Sequence, residues 1–594
     1  MFKFPAPDMD EFFRTYAITT FAVSKDEKRI AFSTNLSGKY NVWGLDLPNT
    51  YPYPLTYRDQ TPRALSFDPL GRFILVGFDN DGDENVQLYA ISQNGGDVTP
   101  IRTFEGRRHF FARLSQDGQR LYYSSDKENH QFLNGYVYDL ESGEEKVLYE
   151  GEGGANYIIR VSKDESMFIV ATHFANTFMP AHVHVDGKRL SLVPDETVQH
   201  VAGTFDFDGH TIWFSTDYES DRAYLAKFNV DTETFEKVYA LEDGDIGGVN
   251  IHAPSGKLYF TVERGAEDAL VEYNLATGEA KELATPFSVI EELQVGESGS
   301  IYVLGRSDVD PFNLYLRDAD GNWTMLTQNR VMGTTREELS QAEVVTFPSY
   351  DGLPIEALWF PANKERANGY TVVWPHGGPQ AAERRAFRPF FQYLCSHGYN
   401  VWAPNFRGSS GYGTKFVKMV EGDWGEGPRL DMVESMEFLI REGKADRDKL
   451  FLVGGSYGGY MTLLLHGRHA DYFQACVDIF GPSNLFTFLN SVPDHWKPAM
   501  KQWLGDVVED KERLTKDSPI TYLEGMTKPM LVIQGANDPR VVKAESDQIV
   551  AALRDKGREI EYIVFDDEGH GFMKKENEMK AYGSTVAFLD KYRK

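Results

Sequence analysis

The sequence predicts two domains of different class: an N-terminal seven-bladed β-propeller, and a C-terminal doubly wound, mostly parallel sheet with helices on its faces. Three observations predict this. A polar turn followed by an apolar strand recurs through the first half every 42–49 residues or so, the length of a four-stranded blade. After about residue 340, short and fully apolar strands alternate with helical stretches, as in a parallel sheet buried on both faces. A chain of 594 residues also exceeds what one hydrophobic core organises.

Residues 1–20 are expected to pack on the C-terminal domain, and residues 21–335 to form the propeller. Its turn-plus-strand unit is visible at Ser24–Asp26 before RIAFST, at Ser66–Asp68 before RFILVGF and at Ser115–Gly118 before RLYYSS. It returns at Ser162–Asp164 before MFIVAT, Asp206–Gly209 before TIWFST, Ala253–Gly256 before KLYFTV and Glu297–Gly299 before SIYVLG. Seven units imply seven blades, each relying on its neighbours for the missing part of a core. The run Asp79-Asn-Asp-Gly-Asp-Glu84 invites comparison with a calcium loop. It lacks the spacing to a terminal bidentate Glu, so a hairpin turn is the better reading and no metal site is assigned.

Residues 336–594 are expected to form the catalytic domain. Strands are predicted at YTVVWP (370–375), YNVWAP (399–404), KLFLVG (449–454), ACVDIFG, PMLVIQG (529–535) and EIEYIVF (559–565). Helices are predicted near 387–397, 429–441, 541–556 and 577–592. Such sheets carry their chemistry at the carboxyl ends of the strands.

Composition removes several classes of function. A net charge of −28 argues against attraction to nucleic acid or anionic membrane. No apolar run approaches the roughly 20 residues of a membrane span. The N-terminal MFKFPAPDMDEFF does not have the pattern of a signal peptide. Two cysteines, Cys395 and Cys476, exclude a disulfide framework and suit a reducing compartment. A cytoplasmic location is the expectation.

The chemistry centres on Gly454-Gly-Ser456-Tyr-Gly-Gly459, lodged between a predicted strand and a predicted helix. A serine there sits on a tight turn with its hydroxyl beyond the sheet, and glycines let the backbones approach. A G-x-S-x-G match is weak alone; the strand before and helix after give it weight. The hydroxyl needs a base. His570 lies between two glycines directly after EIEYIVF, whereas His466 and His469 read as helix residues and His397 as a helix C-terminal residue. Asp538, in the loop after PMLVIQG, is the candidate orienting acid; Asp478, Asp566 and Asp567 are rivals. The order Ser456, Asp538, His570 is that of α/β-hydrolases. One oxyanion donor is expected from the Tyr457 N–H and another from the loop His376-Gly-Gly378-Pro, with His376 itself structural.

The pieces HGGP (376–379), NFRGSSGYG (405–413), GDWG (422–425), GGSYGG (454–459), NDPRV (537–541) and EGHGF (568–572) together resemble the prolyl oligopeptidase family of serine peptidases, nearest its acylaminoacyl-peptidase-like branch. The resemblance spans nearly the whole chain. It implies a propeller that caps the catalytic face and admits only peptides or small acyl compounds. It also implies Gly378 as the second oxyanion donor and Arg540 as a ligand of a substrate carbonyl. Arg540 could instead hold the acid loop by a salt bridge, and Arg407 is expected to pair with a nearby acid. Related dipeptidyl peptidases hold the substrate ammonium with a Glu pair; Glu144-Glu145 and Glu291-Glu292 do not match that motif, which disfavours dipeptide release. Phe480, Phe486, Phe488 and Trp496 are candidates for an apolar acyl pocket.

The expected function is therefore hydrolysis of short peptides, N-acylated ones among them, through an acyl-enzyme on Ser456 and without a cofactor. A carboxylesterase would use the same residues, and a catalytically dead propeller scaffold is the reading from another class. Oligomeric state, with a homo-oligomer among the options, is left open.

Overall fold

A computed structural model describes residues 7–593. The N-terminal half forms seven four-stranded antiparallel sheets, each built from consecutive strands. The second strand of every blade is one of the apolar units named above, from Arg29–Thr34 to Ile301–Arg306. These strands are buried on both sides because blades pack face to face. Among the described residues no strand is borrowed to close the ring. Closure comes from side chains: Ile18, Phe21 and Phe32 of the first blade pack with Tyr302, Leu304 and Leu314 of the seventh.

The first blade starts at Ile18 rather than at 21, since both Ile18 and Phe21 are buried in that closing core. Residues 1–6 of the expected N-terminal segment lie outside the described residues. The helix Met9–Phe13, capped by Asp8 and Glu11, packs on the C-terminal domain. Phe13 stacks on Tyr582 at 5.5 Å.

The C-terminal domain is an eight-stranded sheet. Its strands are numbered here within the sheet as β1 Glu343–Pro348, β2 Pro354–Phe360, β3 Thr371–Val373 and β4 Asn400–Asn405. They continue as β5 Leu450–Gly455, β6 Phe473–Ile479, β7 Met530–Gly535 and β8 Ile560–Phe565. The spatial order is β1-β2-β4-β3-β5-β6-β7-β8. β2 pairs antiparallel with both of its neighbours, β1 and β4, and every other pairing is parallel. Three hydrophobic clusters cover the faces of the sheet. Each fully buried Leu, Ile, Val or Phe in them contributes about 1.5–3 kcal/mol. Both cysteines are free and buried. Among the described residues no helix is long and apolar enough to cross a membrane.

Candidate active site

Ser456 directly follows β5 and is the N-cap residue of the helix Tyr457–His469, with φ 58° and ψ −123°. This left-handed conformation is costly for a non-glycine residue. It is held from both sides, the Ser456 N–H donating to Ile479 O (2.9 Å) and its carbonyl accepting from Tyr460 N (2.9 Å). The neighbouring glycines answer to crowding: a Cβ on Gly458 would collide with Pro375 O. The same closeness places Gly377 over the serine, its virtual Cβ 3.4 Å from Ser456 Cβ.

His570 Nε2 lies 2.9 Å from Ser456 Oγ, and its Nδ1 lies 2.6 Å from Asp538 Oδ2. The other Asp538 oxygen accepts the Arg540 and Val541 N–H groups, both at 2.9 Å. That leaves Asp538 little freedom to rotate away. The His570 loop is closed by Glu568, fully buried, whose carboxylate accepts from Met573 N (2.8 Å), Lys574 N (3.0 Å) and Asn577 Nδ2 (2.9 Å). The Phe480 ring lies 4.7 Å from the imidazole. A base, an orienting acid and a hydroxyl in this relation can carry a proton away from Oγ and return it.

The competing residues are engaged elsewhere. His376 is stacked on Phe406 at 4.2 Å, bonded to Gly377 O and Ser409 Oγ, and burial lowers its pKa to about 4. His397 meets Asp590, His466 accepts from Lys528 N, and His469 faces Arg429. Asp478 lies beneath the elbow, accepting among the described residues only from Gly481 N (2.9 Å), and burial raises its pKa to about 8. Asp567 pairs with Lys574. Arg407 pairs with Asp431 and Asp351.

A cavity of about 330 Å³ borders Gly378. The propeller supplies Tyr157, His173 and Asn176 to its wall. The catalytic domain supplies Gln380, Trp496, Met500 and Trp503. The wall holds no Asp, Glu, Lys or Arg, and burial lowers the His173 pKa, favouring the neutral ring. Of the four aromatic residues singled out from the sequence, only Trp496 lines it. Phe480 sits against the imidazole instead. The helix Leu485–Ser491 turns Leu485 and Phe488 inward at i, i+3 spacing, so Phe488 packs on Trp424 and Phe486 flanks the same core.

Sequence reasoning did not find the propeller's share of the site. The Asp79–Glu84 loop is the hairpin connection of the second blade. Here Glu84 pairs with Arg540 Nε at 2.8 Å, and Asp81 with Lys574 Nζ at 2.9 Å. Arg540 is thus tied to the propeller rather than to its own loop. On the other side, the segment following HGGP reaches the propeller through Arg384 to Asp268 and Arg385 to Glu267, and Asp308 lies 3.2 Å from Arg385. The acidic run was the one signal that could have pointed there.

Residues 385–594 match the model of the prolyl oligopeptidase family. Dipeptidyl aminopeptidase BIII of Pseudoxanthomonas mexicana is 29% identical over 606 residues, covering 96% of this chain and 86% of that one. An acylamino-acid-releasing enzyme of Arabidopsis thaliana is 29% identical over 252 residues, 40% of this chain and 33% of the other. Among solved structures, a puromycin-hydrolyzing peptidase of Mycobacterium tuberculosis superposes with a TM-score of 0.87 at 18% identity. That superposition covers 99% of this chain and 97% of the other.

Proposed function

The chain belongs to the prolyl oligopeptidase family of serine peptidases, and from that premise we propose that it hydrolyses short, N-terminally blocked peptides through an acyl-enzyme on Ser456. His570 takes the Oγ proton as Oγ attacks the scissile carbonyl, and returns it to the departing amine. Asp538 holds the ring and balances its charge. The Tyr457 and Gly378 N–H groups receive the oxyanion. Water then attacks the ester by the same route in reverse.

The observation that carries the blocked-substrate reading is the uncharged wall beside Gly378. A free ammonium placed there would lose its hydration without gaining a carboxylate. Neither Glu pair from the sequence supplies one: Glu145 is bound to Lys127 and Arg102, and Glu291 to Arg306. Glu292 is bonded to Phe21 N and Gln294. Arg540 keeps its Nη atoms without partners among the described residues and can offer them to a substrate carbonyl.

The name of the near full-length relative favours a second reading, release of dipeptides with a free amine, for which Glu84 is the available carboxylate. A panel of N-acyl aromatic anilides, free dipeptidyl anilides and nitrophenyl esters separates these. Turnover of the free dipeptidyl anilides alone overturns the blocked-peptide reading, and turnover of esters alone points to a carboxylesterase. A cytoplasmic site of action is part of the proposal, supported by two free buried thiols.

A further inference from the structure

A second cavity, of about 170 Å³, lies where the N-terminal segment, the first and seventh blades and the catalytic domain meet. None of Ser456, Asp538, His570 or Gly378 lines it. Much of its wall is aromatic, including Phe312, Phe390, Phe391 and Phe572. A dry cavity of similar size, about 150 Å³, admits a benzene ring.

Three of the polar groups that line it, Asn35, Tyr40 and Arg388, keep donors without acceptors among the described residues. Asn35 is 4% exposed; its Oδ1 accepts from Ala17 N, which orients Nδ2 as a donor, and Nδ2 has no partner among the described residues. Tyr40 is 7% exposed, and its hydroxyl makes no hydrogen bond among the described residues. The Arg388 side chain keeps 40% of its surface; Glu383 meets only Nε, so both Nη atoms are without hydrogen-bond partners among the described residues. Arg388 is also the N-cap of the helix Pro389–Ser396, gives it no side-chain cap, and the first turn of that helix lines the cavity. Orphan N–H groups at a helix start favour an anion. The ionic pairs in and around the wall, Arg306–Glu291, Arg388–Glu383 and Lys575–Glu578, cancel one another, so the unmet need is for an acceptor rather than for bulk charge.

We propose that this cavity binds a small carboxylate bearing an aromatic or branched apolar body, and that its occupancy adjusts the His570 loop. The carboxylate takes hydrogen bonds from Arg388, Tyr40 and Asn35, and the body fills the phenylalanine-lined space. The coupling is short. Phe572 lines the cavity, lies 5.9 Å from Phe480, and Phe480 lies 4.7 Å from His570.

Phenylacetate and its neutral isostere phenylacetamide are the probes, titrated calorimetrically into the full chain and into its Tyr40→Phe, Arg388→Met and Trp503→Ala variants. The expected result is a single site for phenylacetate, with phenylacetamide at least tenfold weaker. Binding should weaken about tenfold in Tyr40→Phe, which removes one hydroxyl and no packing, and stay unchanged in Trp503→Ala. On anilide turnover phenylacetate should act on kcat rather than compete with substrate. Equal binding of acid and amide, binding insensitive to Tyr40→Phe, competition with substrate, or no heat at millimolar probe would each overturn the proposal. The binding arm does not depend on the substrate assignment, so it stands or falls apart from the peptidase reading.

Discussion

Gly82 of the propeller lies directly against Gly569, the residue before His570: a Cβ on Gly82 would stand 2.7 Å from Gly569 N, and one on Gly569 would collide with Gly82 O. Two domains therefore touch backbone to backbone one residue from the candidate base. Gly82 also has φ +77°, where a side chain is strained. Gly82→Val should push the His570 loop from Ser456 and lower kcat/KM about 100-fold, the scale of a displacement near 1 Å. Steady-state kinetics beside a thermal melt checks this; an unchanged kcat/KM in a folded variant would show that the loop does not need this contact.

Ser456→Ala should abolish labelling by a fluorophosphonate probe and lower kcat about 10⁶-fold. Asp538→Asn should keep the fold, because Oδ1 still accepts from Arg540 and Val541, yet lower kcat about 10⁴-fold by favouring the wrong imidazole tautomer. Persistent labelling of Ser456→Ala would reassign the nucleophile.

Arg540→Met should raise KM for blocked anilides about tenfold, the loss of one charge-assisted hydrogen bond. Turnover of a small nitrophenyl ester, which does not reach Arg540, should change little. Equal losses on both substrates would instead assign Arg540 to bracing the two domains through Glu84.

Asp478 makes the pH dependence of stability testable. Burial raises its pKa to about 8 in the folded chain, against an ordinary value of 3.8. Between those values the native state holds a proton that the unfolded state has released. Stability from this group is therefore complete below the unfolded pKa and falls as pH rises through the folded one, by about 1.4 kcal/mol per pH unit within the window. Asp478→Asn should flatten that slope, so its denaturation midpoint should decline less than the parent's between pH 5 and 8, windows measured by chemical denaturation. Parallel declines would show that Asp478 is ionised in the native chain.

The legible parts were those written in local pattern. The apolar units from RIAFST to SIYVLG are the second strands of seven blades, and each strand predicted for the second half lies in its parallel sheet. The antiparallel pair Glu343–Pro348 and Pro354–Phe360 went unnoticed, because β1 is mostly exposed, buries only Phe347 fully and has no long apolar run. Two of the four aromatic candidates, Phe486 and Phe488, meet the core rather than the cavity for a related reason, whereas Trp496 lines it. Phe486 and Phe488 neighbour each other on one short helix, and only packing decides which of its faces meets the core and which meets a cavity.

Sequence alone determined the two architectures and named Ser456, Asp538 and His570, because strand, turn and helix signals are local and each motif sits at a strand end. Only the tertiary structure decided that the first and second halves share the site. Glu84 reaches Arg540 and Gly82 reaches Gly569 across more than 450 positions of chain. No periodicity or spacing encodes such a contact; it arises when two independently closed cores are pressed together and their surface loops meet.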